Sequence, residues 1–161
     1  VLVNVEGRVM RAAMGRSGIG TLKREGDGAT PRGRMTPLAA LTRGRVVTGY
    51  AALPVPHRGV RPADGWCDDA GSGRYNAYVR RPYAGSHEAL LREDGLYDVV
   101  VATDDNQRPR VRRLGSAIFV HMARPAMTPT EGCLAFPRAA WQRAIVPLGP
   151  YLIGIEPRPR R

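Results

Sequence analysis

Two cysteines, three histidines and a single lysine are all that the 161 residues contain of those types. Cys67 and Cys133 are too few to build a disulfide-stapled domain, although one bridge between them stays open. No cysteine pair has zinc-type spacing, the histidines stand far apart, and C-x-x-C is absent, so no metal ligand set, redox pair or cofactor motif is written here. Aromatic residues make up 6% of the chain. They form no RNP-like strand, and no basic recognition helix accompanies them, which argues against nucleic acid as the principal partner. The longest apolar runs, AIFV and YDVVVA, fall far short of the roughly 20 residues that cross a bilayer. The opening VLVNVEGRVM lacks the pattern of a secretory leader. It reads as the first strand and turn of a fold, so the expectation is a cytoplasmic chain or an exported one without its leader.

What is present is an ordinary globular composition, 43% hydrophobic and 24% charged. The length suits one domain over residues 1–161, with a core that needs no staples. The net charge is +11, and every basic residue except Lys23 is arginine. With 19 Gly and 14 Pro, this skew reflects coding bias as much as a ligand, but a basic surface does favour an anionic partner such as an anionic lipid or an envelope polymer.

Residues 1–5 and 7–15 read as a hairpin turning at Glu6 and Gly7. Residues 15–37 are too rich in glycine and proline for a long regular element, and a long loop in a small domain often shapes a binding site. RVVTGYAAL (45–53) is strand-like, and 55–73 is a second irregular stretch. Ser86 is placed to cap a short helix through SHEALLRED, ended by Gly95. LYDVVVATD supplies a β-branched run for a central strand, DDNQRPR a turn, GSAIFVH the next strand. Pro137 suits the first turn of a helix across PRAAWQRAIVPL, and YLIGIEP is a closing strand. Six or seven strand candidates against two short helices make the class mainly β, with short helices at the periphery and long loops that form the site.

The stretch 115–141 carries the chemistry. Alternation in GSAIFVH places Ser116, Ile118 and Val120 on one face and Ala117, Phe119 and His121 on the other. By itself His121 fits a histidine satisfied by a backbone carbonyl at the core rim, and Cys133 fits a small buried hydrophobe. Together they suggest more. A thiol attacks carbonyls well only as thiolate and wants an imidazole nearby, and Gly132 lets backbone N–H groups converge where an oxyanion forms.

GSAIFVH followed by TPTEGCL resembles the signature of the L,D-transpeptidase catalytic domain, the YkuD-like family, whose usual motif is a histidine, a variable loop and then Ser/Thr-His-Gly-Cys. TPRGRM (30–35) is similar to the family's Thr-Pro-x-Gly-x-Phe element, and WCDD, YNAYV, LYDVVV and GSAIF resemble a compact stand-alone branch of Gram-negative bacteria. The resemblance runs from about residue 8 to 155 and implies a β-sandwich. It makes Cys133 the nucleophile and His121 the general base, oriented by a carbonyl near Met122, with Thr130 and Gly132 as the residues before the nucleophile. One departure is Glu131, where many members carry a second histidine; its charge is expected to raise the Cys133 pKa.

The same resemblance implies peptidoglycan stem peptides as partners, covalent inhibition by carbapenems, no cofactor, a monomer, and a place in the periplasm or envelope. The implied reaction is attack on the carbonyl after diaminopimelate in a tetrapeptide, release of D-alanine, and transfer of the acyl group to a second stem. Water or a free D-amino acid as acceptor gives the carboxypeptidase and exchange alternatives, and a non-catalytic wall-binding module is the other. Because stems carry carboxylates, Arg124 and Arg138 are candidate substrate ligands, a guanidinium fork matching a carboxylate. Trp66, Tyr75 and Asn76 are further candidates for the cradle, and Asn76 is preferred because an amide within a strand pattern needs a partner.

Overall fold

The computed structural model describes residues 2–5, 8–44, 53–143, 146 and 148–154. Its centre is a five-stranded mixed sheet in which Val99–Thr103 lies between Phe119–Met122 and Pro37–Thr42, with Leu134–Phe136 and His57–Gly59 at the edges. The run VVVAT is the central strand because it is buried on both faces, at 0 to 3% exposure for Val99, Val100 and Val101. In chain order the strands are β1 (Leu2–Val5), β2 (Arg8–Arg11), β3 (Ile19–Gly20), β4 (Thr30–Pro31), β5 (Gly33–Met35), β6 (Pro37–Thr42), β7 (His57–Gly59), β8 (Asp64–Cys67), β9 (Ala77–Arg80), β10 (His87–Ala89), β11 (Val99–Thr103), β12 (Phe119–Met122), β13 (Leu134–Phe136) and β14 (Tyr151–Ile153). One helix, α1 (Arg138–Gln142), follows β13 and begins behind Pro137. The fold is mainly β, as expected, and consistent with a sandwich.

The two faces of the central sheet bury different clusters. Ala40, Val99, Val101, Val120, Leu134 and Phe136 point into a large core closed by β1, β5, β14 and Trp141 of α1. The alternate residues Leu41, Val100, Phe119 and Cys133 point the other way, to Trp66, Leu90 and Tyr97. There the three-stranded sheet β10-β8-β9 packs, Trp66 meeting Phe119 edge-on at 5.2 Å between ring centroids.

Several local expectations change. The segment 87–89 is a strand: His87, Glu88 and Ala89 pair antiparallel with Cys67, Trp66 and Gly65. An isolated helix of that length is marginal, and the β8 edge offers the segment a hydrogen-bonding ladder. Strands also form in the second irregular stretch, at 57–59 and 64–67, and at Pro37–Thr42, which alternation had not marked. The first hairpin is present, with Val5 opposite Arg8; its turn, the run 45–52 and the tail from residue 155 lie outside the described residues. The helix after Pro137 is five residues long.

Candidate active site

Parallel pairing of β12 with β13 brings His121 and Cys133 to one face of the sheet. The register sets Val120 beside Leu134 and His121 beside Ala135, so one step back Phe119 stands beside Cys133. Alternation then turns Phe119, His121 and Cys133 to the same face. The sulfur closes on β12 itself, accepting from Phe119 N–H at 3.3 Å and donating to Ala117 O at 3.3 Å. His121 Nδ1 lies 2.8 Å from Met122 O. A carbonyl only accepts, so Nδ1 carries the hydrogen and Nε2 the lone pair. Tyr97 steadies the other side of the ring, edge-on at 5.2 Å.

The approach to Cys133 is built by the first glycine-rich loop. Residues 13–16 clamp the Cys133 segment: Ala13 exchanges both backbone hydrogen bonds with Ala135, and Thr130 bonds Met14 and Arg16. Gly15 is required there, since a Cβ would lie 2.3 Å from Gly28 O. Thr30, fully buried, takes the Gly15 N–H and donates to Gly132 O at 2.9 Å. Gly132 has φ +138, and a Cβ on it would meet Ala29 O at 2.9 Å. Its N–H is held by Thr130 Oγ1 at 3.1 Å, and that hydroxyl donates to Cys133 O at 2.7 Å. Gly132 thus supplies close backbone approach, and its amide is committed to Thr130 rather than free for an oxyanion.

Cys133 and His121 open into one cavity of about 440 Å³, walled by Lys23, Glu25, Glu88, Arg92, Tyr97, Arg124 and Thr130 among others. Burial is the leading influence on both reactive groups. It pushes the Cys133 thiol up to about 12, against the lowering effect of the Phe119 N–H. It pushes His121 down to about 4, with the Met122 carbonyl opposing. Near neutral pH the resting pair is therefore a thiol and a neutral imidazole. Glu88 adds negative potential at the sulfur; its own carboxyl is raised by burial while Tyr97 Oη donates to it at 2.6 Å. Among the described residues no group of three His, Cys, Asp or Glu is placed to hold a metal ion.

The family model of the L,D-transpeptidase catalytic domain, YkuD, matches residues 3–151. The chain belongs to that family. No curated protein and no solved structure matches it. Members of the family are cysteine-dependent L,D-transpeptidases that act on peptidoglycan stem peptides of the cell wall. No described helix of this L,D-transpeptidase domain is long and apolar enough to cross a membrane.

Of the residues singled out in the sequence, Cys133, His121, Thr130 and Arg124 meet at the cavity. Arg138 does not: its guanidinium is 2.7 Å from Asp98 and caps Gly95 O at 3.4 Å. Trp66 lines a separate apolar cavity of about 400 Å³ with Leu90, Val100 and Phe119. Tyr75 is buried and donates to Glu25, which Ser116 also bonds at 2.8 Å, so it pins the loop over the site. Asn76 is 2% exposed and has its partners inside the fold. Glu131 stands at the exposed rim of the same cavity, paired with Arg16 at 2.8 Å, and the carboxylate that raises the sulfur is Glu88. Both cysteines are free thiols. Glu88, Arg92 and Tyr97 went unmarked in the sequence; treating HEA as an alternating strand beside an edge would have turned Glu88 away from its neighbours and flagged it.

Proposed function

We propose that this domain is a peptidoglycan L,D-transpeptidase in which Cys133 is the nucleophile and His121 the general base. The observation that carries the reading is the imidazole's geometry: its Nδ1–H is locked on Met122 O while Nε2, free of a proton, shares a cavity with the Cys133 sulfur. The burial that keeps His121 neutral leaves the Nε2 lone pair available at neutral pH while lowering its proton affinity. Because the thiol is held protonated, its proton moves as sulfur bonds carbon, not beforehand.

Sγ attacks the carbonyl that joins diaminopimelate to the terminal D-alanine, and the thiol proton passes to His121 Nε2. The carbon–nitrogen bond then breaks, and the leaving amine of D-alanine takes that proton. A thioester remains on Cys133. The amine of a second stem attacks it, gives a proton to Nε2, and the departing sulfur recovers it, so the crosslink forms with no net change in the enzyme. Arg124, exposed at the cavity wall, is the guanidinium in position to meet a stem carboxylate. The setting of this reaction is the periplasm or envelope, and carbapenems would acylate the same sulfur.

The test is product analysis with a purified diaminopimelate tetrapeptide. A crosslinked dimer with released D-alanine is expected. Tripeptide alone would make the domain a carboxypeptidase, an exchanged tetrapeptide an exchange enzyme, and no turnover with Cys133 unmodified would remove the catalytic reading.

A further inference from the structure

We propose that Asn76 is a positioning residue that fixes the Ala117 carbonyl as the resting acceptor of the Cys133 thiol proton. The inference rests on the reading of Cys133 as nucleophile.

Asn76 sits behind the site and is almost fully buried. Every polar atom of its side chain is used. Oδ1 accepts from Trp66 Nε1–H at 2.9 Å and from Ala117 N–H at 3.1 Å, while Nδ2 donates to Asp105 O and Asn106 O at 3.1 and 2.9 Å. Its own carbonyl accepts from Gln107 Nε2 at 2.9 Å. Asn76 and Ala117 both have φ +53. Asparagine tolerates that region, whereas alanine leaves it unless something holds it. The amide oxygen of Asn76 is what meets the Ala117 N–H.

The turn held this way has a consequence at the sulfur. Ala117 O and Phe119 N–H, two residues apart, both face Sγ at 3.3 Å, so the thiol occupies the position that the hydrogen bond of a γ-turn would fill. The carbonyl favours the thiol and opposes the thiolate; the N–H does the reverse. In this pose the proton is directed at Ala117 and not at His121. Activation is then a swing of S–H from Ala117 O to His121 Nε2, followed by transfer of that one proton, and the setting of Ala117 decides how firmly the resting pose is kept.

Asn76→Gly deletes the amide at a φ that glycine adopts without strain. Trp66→Phe removes one donor to Asn76 Oδ1 and keeps a ring against Phe119. Iodoacetamide labelling is followed by mass spectrometry at each cysteine from pH 6 to 10, with fully buried Cys67 as a reporter of general loosening. In Asn76→Gly the Cys133 labelling rate at each pH should rise about two- to tenfold, the range set by one neutral hydrogen bond. Cys67 should stay protected, which separates a change at Cys133 from general loosening. Trp66→Phe should shift Cys133 in the same direction by less, and it decides the matter alone if the glycine variant does not fold. An unchanged Cys133 labelling rate, or labelling of Cys133 and Cys67 rising together, overturns the proposal. If the unsubstituted protein is never acylated by tetrapeptide, the transpeptidase reading fails, and the labelling comparison still judges Asn76.

Discussion

Lowering the pH from 7 to 4.5 titrates two buried groups with opposite effects on stability, and replacing each in turn separates them. His121 binds its proton near 6.5 when unfolded but only near 4 when folded, because burial penalises the imidazolium. As the pH falls below 6.5 the unfolded chain gains a proton that the folded one refuses, so stability is present above 6.5 and is lost on the way down, by about 2 to 3 kcal/mol at pH 4.5. Asp105 behaves in the opposite way. Its Oδ2 is buried with no hydrogen-bond partner, and burial raises the carboxyl from 3.8 to about 6. The folded state takes up that proton first, so stability rises as the pH falls from 6 towards 3.8, by on the order of 2 kcal/mol. Glu88 is raised for the same reason and adds to this side. Asp64, Asp27 and Asp94 are all held below the ordinary aspartate value and stay ionised at pH 4.5.

The unsubstituted protein is therefore expected to be nearly flat between pH 7 and 4.5 in urea unfolding. His121→Gln removes the acid-sensitive half and should become more stable at pH 4.5 than at 7. Asp105→Asn removes the acid-stabilised half and should lose about 2 kcal/mol over the same interval. Each comparison is made within one protein across pH, so the fixed cost of the substitution cancels. If His121→Gln keeps the pH dependence of the parent to within about 0.5 kcal/mol, the imidazole is not buried neutral and the assignment of Nε2 as a standing base is wrong.

Gly132→Ala should cost about 2 to 4 kcal/mol in thermal or urea unfolding, since φ +138 and the 2.9 Å approach to Ala29 O both resist a Cβ. Thr30→Val leaves the Gly15 N–H and the Gly132 carbonyl unpartnered in the core and should cost about 2 to 3 kcal/mol, with slower acylation of Cys133 because its segment loosens. Glu131→His, restoring the residue common in the family, should change stability by well under 1 kcal/mol, as the ion pair with Arg16 is exposed on both sides. Arg124→Ala should lower kcat/KM for tetrapeptide more than Arg138→Ala, whose side chain is held on Asp98 outside the cavity; equal losses would mean that neither guanidinium reads the substrate.

The central strand and the meeting of His121 with Cys133 at one cavity were legible because each is written locally. VVVAT has the composition of a strand buried on both faces, and His121 and Cys133 sit in a short motif whose spacing survives in the parallel register of β12 and β13. The segment 86–95 was not legible: its helical propensity is real but short, and the ladder with β8 decides its conformation. Pro37–Thr42 hid behind its leading proline, which the structure accommodates at the irregular end of the pairing with Thr103. Asn76 illustrates the other limit. The sequence marks a buried amide that needs partners, but those partners come from 66, 105, 106 and 117. Only the folded chain shows that the amide supports the site from behind and does not line it.

The claim that Cys133 and His121 form an acyl-transfer pair is tested most directly by intact mass after brief incubation with a diaminopimelate tetrapeptide or a carbapenem, followed by peptide mapping. The account predicts one covalent adduct on Cys133, absent in Cys133→Ala and at least about 100-fold slower in His121→Ala. With tetrapeptide, its mass is that of the peptide acyl group after loss of D-alanine. No adduct, or an adduct on Cys67 that persists in Cys133→Ala, would contradict it.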